Sequence, residues 1–499
     1  MNDTREVTML TFRRTLGFIL LTILPLLLFA QSKPPKITFM EPDAAGTRDG
    51  LPVYHVATNV AQIGKYQMWL NNEAARMAIE LFSRTWQIVH PSAAEGPHYY
   101  IALAPGGNHA GVGFCIQGGK WVEPHPDIPY ITLNPDEESF RTTFLHETGH
   151  VILSMMNGGK EIPKREMASI PHSTAALTDR GTAFDEGFAI HLETITTHLS
   201  IDPAITDPYK RRRFMFGATG MESEYQRQAT DLMTYAQTRS RYHEVMENVL
   251  AFAPAYRGPD YLRVQLEKSR DFSTVRDANQ LLQSEGFHAS VFFGLLVRGE
   301  TMLRSDVVAQ RHDKMLAVLA DMLTTKHPDP ESPSLLSFIE TYIQKYPSEA
   351  GEVVDVLMDL SHGAFVDRQA AALWRDHYLG ALRVETSAQK NSAIDDTRKR
   401  WRADVLKNPK LLYSLLGPQL RCEVAGKTVK LDALGSSAPL SFDVNTVEYG
   451  IIRMIPDMTE KEADAWTKRR GEKPFVSIDD FKSRSGLGKK AMKHLKLSK

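Results

Sequence analysis

The sequence predicts an α+β fold in three parts: a mixed strand and helix domain over 31–200, a mostly α-helical lobe over 201–415, and a small α-helical hairpin module over 440–499. Three observations lead there. Up to about residue 200, short apolar runs bounded by glycine or proline alternate with helical periodicity. From about 200 to 415 the pattern is almost wholly helical, and beyond 440 two short helical hairpins follow one another.

The chain begins with Arg13-Arg14 ahead of an apolar run from Leu16 to Ala30, which is broken by Pro25 and is too short to span a membrane. Leu28-Phe29-Ala30 before Gln31 offers a small-residue cleavage site. A signal peptide over 1–30, cleaved after Ala30, is therefore expected, and with it a secreted or periplasmic protein. No cysteine follows the cleavage site, so no lipid anchor is expected. The remaining composition suits a soluble mature protein, with 42% hydrophobic and 24% charged residues and a formal net charge of −1 over 499 residues. Cys115 and Cys422 read as buried thiols in separate domains, with an interdomain disulfide as the alternative.

In the first part, residues 71–89 read as an amphipathic support helix, and His98 to Leu103 and Gly111 to Ile116 as strands. Tyr130 to Leu133 reads as a third strand. Asn134-Pro135-Asp136-Glu137 then supplies a cap, a proline at the first helical position and first-turn acids for a helix that runs to Met156, where Asn157-Gly158-Gly159 stops it.

That helix carries His146-Glu147-Thr148-Gly149-His150, which matches the H-E-x-x-H pattern of zinc hydrolases. Residues four apart on a helix are offset by only ~40°, so both imidazoles leave the same side and can grip one Zn²⁺. Glu147 flanks that face, where a carboxylate can act as general base. Gly149 costs helix stability, and a bulkier residue there would block close packing.

A catalytic zinc takes a third protein ligand. Glu186 is the candidate, in Thr182-Ala183-Phe184-Asp185-Glu186-Gly187-Phe188-Ala189, which starts a second helix with Thr182 and Asp185 as a capping pair. A first-turn glutamate that complements the helix dipole is the rival reading of Glu186. Asp185 reads as a cap or as the partner that holds a ligand imidazole. His172, His191 and Glu193 are reserve ligands.

His146, Glu147, His150 and Glu186-Gly187-Phe188-Ala189 together resemble the gluzincins, the thermolysin-like and aminopeptidase-N-like metallopeptidases. The resemblance implies a zincin-like catalytic domain, one Zn²⁺ held by His146, His150 and Glu186, Glu147 as general base, and a peptide or protein substrate. Roughly 35 residues separate His150 from Glu186, whereas the best-known gluzincins use a gap nearer 20, so the likeness is to the broader peptidase MA-like group. In the zincin arrangement an edge strand beside the metal pairs with extended substrate. Gly111 to Ile116 is the candidate, with an interior strand as the alternative. The helical lobe is expected to offer an oxyanion donor, for which His288 and Tyr242-His243 are candidates. Lys210-Arg211-Arg212-Arg213 reads as a solvated face.

The tail resembles the tandem helix-hairpin-helix module of periplasmic competence DNA receptors and K-type minor pseudopilins. Its second hairpin, Ser485-Gly486-Leu487-Gly488-Lys489-Lys490-Ala491, keeps a turn whose backbone N–H groups can meet a phosphate, through Gly486, Gly488, Lys489 and Lys490. The first hairpin, Pro456-Asp457-Met458-Thr459, lacks those glycines. Residues 482–499 hold seven Lys or Arg and no acid, so a DNA partner and a protein partner both stay open. Two other functional classes remain: a non-catalytic scaffold of an export or DNA-uptake apparatus, and a metal-dependent hydrolase of a non-peptide bond. Every candidate catalytic group lies upstream of residue 300, so loss of the tail is expected to spare catalysis.

Overall fold

The computed structural model describes residues 33–135, 137–162, 178–199, 277–299, 304–324, 334–361, 363–367, 369–374, 388–416, 420–431, 436–447 and 452–499. The expected signal peptide over 1–30, His172, Lys210-Arg211-Arg212-Arg213 and Tyr242-His243 lie outside them. The chain is a mixture of helices and sheets, as an α+β layout requires.

Five strands come first: β1 (Lys36–Arg48), β2 (Leu51–Val56), β3 (His98–Leu103), β4 (His109–Gly118) and β5 (Trp121–Leu133), closed into a barrel in the order β1-β2-β4-β5-β3. The two-residue side-chain period of a strand assigns the two faces. Met40, Tyr54, Tyr100, Ala102, Phe114 and Tyr130 form one aromatic-rich cluster, while Phe39, Tyr99, Ile101, Leu103, Ile131 and Leu133 join the main core beneath the helices.

Closure bears on the expected substrate strand. Cys115 pairs with Val53 and Pro124, and Ile116 with Tyr54 and Glu123, so this half of Gly111 to Ile116 is interior. Gly111 and Val112 pair with Tyr130 and Pro129 of β5. Between the halves, Gly113 at φ 84° marks a register shift, and a Cβ there would meet the Pro126 carbonyl at 2.7 Å.

Helices α1 (Val60–Leu70) and α2 (Glu73–Val89) follow β2. Asn72 caps α2 by accepting the Ala75 N–H at 2.9 Å, and Ala74, Ala75, Ala78, Leu81 and Phe82 make its buried stripe. Next come α3 (Glu137–Met156) and α4 (Arg180–Leu199), then α5 (Ala278–Leu281) and α6 (Glu285–Val297). The lobe continues through α7 (Ser305–Thr324), α8 (Leu335–Lys345), α9 (Ala350–Leu360) and α10 (Ala388–Lys407).

The expected first and second parts share a single hydrophobic core that runs from Phe39 to Leu412. Helix α6 is buried on every side, packed on α4 and α9, which is why its sequence EGFHASVFFGLLV is apolar all round.

The tail has a core of its own, from Leu420 to Ala491, and this begins ahead of the expected boundary at 440. It is not purely helical. Strands β6 (Arg421–Leu431), β7 (Ser436–Asp443) and β8 (Leu495–Ser498) form an antiparallel sheet in the order β7-β6-β8, around α11 (Glu460–Glu472), α12 (Ile478–Arg484) and α13 (Lys489–Met492). Trp466 fills the centre and donates its indole N–H to the Val444 carbonyl at 2.9 Å. The alternating run Arg421-Cys422-Glu423-Val424 was the available strand signal. Cys115 and Cys422 are both buried free thiols.

Candidate metal centre

Two helices build the site. Helix α3 follows β5 and ends where Gly158 and Gly159 adopt φ of 71° and 73°, the left-handed conformation that glycine supplies at lowest cost. The described part of α3 starts at Glu137, and ahead of it the Asn134 N–H donates to Asn108 Oδ1 at 2.9 Å. On α4 the cap is Asp179, which accepts the Thr182 N–H at 2.9 Å. The expected Thr182–Asp185 capping pair is thereby displaced, and Asp185 lies beside the His150 ring.

The run Glu186-Gly187-Phe188-Ala189 has a packing logic. A Cβ at Gly149 of α3 would lie 2.6 Å from the Ala189 Cα, and a Cβ at Gly187 would lie 2.4 Å from the His288 Cβ of α6. Small residues thus let α4 approach α3 on one side and α6 on the other. Phe184 and Phe188 both pack edge-on against Phe292 of α6.

This approach brings His146, His150 and Glu186 together. The two Nε2 atoms lie 3.2 Å apart, His146 Nε2 lies 3.2 Å from Glu186 Oε2, and His150 Nε2 lies 3.4 Å from the same oxygen. A tetrahedral ion with spokes of ~2.05 Å holds its ligand atoms ~3.3 Å apart. The donor set and the triangle therefore both fit Zn²⁺, and among the described residues no other such group of three forms. The His146 side chain keeps 21% of its surface exposed against 9% for Glu186, so the cluster opens to solvent on the His146 side.

Outer carboxylates hold both rings. Asp185 Oδ1 is 2.9 Å from His150 Nδ1, and Glu193 Oε2 is 3.4 Å from His146 Nδ1. Asp185 and Glu193 thus face the Nδ1 sides of the two rings, while both Nε2 atoms face the shared point. Glu193 is thus placed behind a ligand ring, and the signal for it was its seven-residue spacing from Glu186, two turns along one helix face.

Burial pulls the His146 imidazole down, yet Glu186 and Glu193 outweigh it and raise it to about 10. His150 is likewise disfavoured by burial and held well above its usual value by Asp185 and Glu186. Burial pushes Glu186 up, while His150 and His146 bring it well below the usual carboxylate range. Without a cation, protons balance these carboxylates. Glu147 is buried on α3 between the two histidines.

The remaining candidates sit elsewhere. His288 is fully buried, its Nε2 is 3.0 Å from the Leu282 carbonyl, and burial lowers it to about 3. That nitrogen's proton is committed to the backbone, so His288 is a packing partner of Gly187 rather than an oxyanion donor. His191 is also fully buried and neutral, lowered by burial to about 3, with its Nε2 3.3 Å from His312 Nε2 of α7.

In the tail, Gly486 has φ 82° and Gly488 caps α13. The Gly488 N–H donates to Glu462 Oε1 of α11 at 2.7 Å, while Glu462 Oε2 accepts the Thr459 N–H at 2.9 Å. A carboxylate thus occupies the N–H group that the sequence offered to a phosphate. Lys489 and Lys490 are exposed beside it.

No protein-family model and no solved structure matches the chain. A curated relative, the DNA polymerase III PolC-type of Mycoplasma genitalium, is 31% identical over 100 residues, 19% of this chain and 7% of that polymerase.

Proposed function

We propose that this protein is an exported zinc-dependent metallopeptidase of gluzincin type. The observation that carries the reading is the near-equilateral triangle of His146 Nε2, His150 Nε2 and Glu186 Oε2, with edges of 3.2 to 3.4 Å, each imidazole backed by its own carboxylate. Zinc supplies an acidified water and a polarised carbonyl. Glu147 takes the proton from the attacking water and hands it to the leaving amine. Asp185 and Glu193 keep the ligand rings in one tautomer and orientation while this happens. The N-terminal apolar run ending at Ala30 supports export.

The test is metal content together with digestion of a peptide library. The reading expects one zinc per chain and chelator-sensitive cleavage that Glu147→Gln abolishes. A zinc-free protein, or cleavage unaffected by Glu147→Gln, would overturn it.

For the tail, the closure of the Gly488 N–H by Glu462 favours a protein-docking or bracing role over phosphate recognition. Steeply salt-dependent DNA binding by the full chain would speak for the other reading.

A further inference from the structure

The tail module meets the rest of the chain at the start of the helix that carries Glu186. Gln283, in the turn between α5 and α6, donates from Nε2 to Thr446 Oγ1 at 2.8 Å, and both side chains are buried. The Gln283 carbonyl accepts the Thr178 N–H at 2.8 Å, just ahead of α4. Arg180, the first residue of α4, donates to Asn279 Oδ1 of α5 at 3.0 Å. Three segments are thus tied into one corner.

Asp443, the last residue of β7, sits in the same corner. It is 5% exposed and accepts the Asn445 N–H at 2.7 Å. Among the charged groups, Arg180 of α4, Arg470 of α11 and Asp277 ahead of α5 act most on its charge. We propose that the C-terminal module is an acid-tightened latch on the first turn of α4, closed by Asp443 and Thr446, so that release of the module loosens the helix bearing Glu186.

The sign follows from the carboxyl's surroundings. Burial holds Asp443 up to about 6; the Asn445 N–H, Arg180 and Arg470 oppose this, and Asp277 reinforces it. Freed into water, the same carboxyl titrates near ~3.9. The docked form therefore binds the proton more tightly than the released form, and docking weakens as pH rises through the docked value. A gap of ~2 pH units sets a ceiling of ~100-fold on the docking equilibrium. At pH 5 the latch carries a neutral acid; at pH 8 it carries a buried charge.

The Thr178 amide hydrogen reads the corner directly, because its acceptor is Gln283. Its exchange in the full-length chain, corrected for the intrinsic pH dependence of exchange, should lose protection from pH 5 to pH 8 by up to ~100-fold. Asp443→Asn keeps the shape and the acceptor without the titration, so its protection should stay flat. Thr446→Val, which leaves the carboxyl in place, should lower protection at every pH and retain the slope. The same slope in wild type and Asp443→Asn would overturn the latch. Unchanged Thr178 protection in Thr446→Val would do the same, even if the Asn variant did not fold.

Discussion

Gly149→Ala tests how the centre is assembled, since it adds one methyl where α3 and α4 touch. The added Cβ falls 2.6 Å from the Ala189 Cα and 3.1 Å from its Cβ. Carbon atoms rest at ~3.5–4.0 Å, so the helices must part by ~1 Å. The ligand triangle spans that same seam, with His146 and His150 on α3 and Glu186 on α4. Its cross-helix edges of 3.2 and 3.4 Å would open toward ~4.3 Å, several times the ~0.2 Å that a metal site tolerates. Stability should change far less, because an overpacking cost of ~1–3 kcal/mol is offset by ~1 kcal/mol of gained helix propensity. The assay pairs zinc competition against a chromophoric chelator with thermal unfolding of the metal-free chain. A loss of affinity of at least ~10-fold is expected, with the unfolding midpoint moved by only a few degrees. Wild-type affinity in a folded Gly149→Ala variant would refute the claim that this close approach sets the site.

Glu147→Gln should retain zinc and lose peptide cleavage, because the amide keeps the shape but accepts no proton; turnover at the wild-type rate would remove the general-base role. Glu186→Ala should empty the site, while Glu193→Ala and Asp185→Ala should weaken zinc by ~10–100-fold, measured by metal analysis after dialysis. An Asp185 or Glu193 variant that loses more metal than Glu186→Ala would reverse the assignment. Zinc affinity should climb with pH, since the metal-free centre holds protons on His146 up to about 10 and on His150 well above its usual range, and these must leave before Nε2 can ligate. Calorimetry in buffers of different ionisation enthalpy should therefore record proton release, and its absence at pH 7 would contradict the cluster's charge balance. Truncation from residue 420 should expose the Gln283 corner and reduce zinc retention, contrary to what the upstream position of the catalytic candidates implies; full retention would make the tail a bystander.

What the sequence revealed was local. The spacing of His146 and His150 on one helix and the glycine stop at Gly158-Gly159 are properties of neighbouring residues and match the structure, while the strand expected over Tyr130 to Leu133 is only the end of β5, which begins at Trp121. Thr182 and Asp185 have the spacing of a cap, yet Asp179 sits one turn earlier and takes the role; only the real helix start separates the two. His288 resembled a catalytic donor because its sequence surroundings do not show that Nε2 faces the Leu282 carbonyl. Closure of the barrel through β2 and β4 depends on a pairing across more than fifty residues, which strand periodicity does not encode. The antiparallel sheet of the tail was overlooked because Arg421 to Val424 pairs with the distant C-terminal residues 495–498.

The shared core from Phe39 to Leu412 has a consequence for how this chain can be divided. Glu186 rides on a helix whose inner wall is α6, so the barrel, α3 with its two histidines and the helices beyond 277 complete one another. Fragments 33–199 and 277–499 produced together should therefore associate. Each fragment expressed separately would expose the faces of α4 and α6 that now meet, and would aggregate or bind its counterpart. The boundary expected at 200 is thus not a place where the protein can be halved.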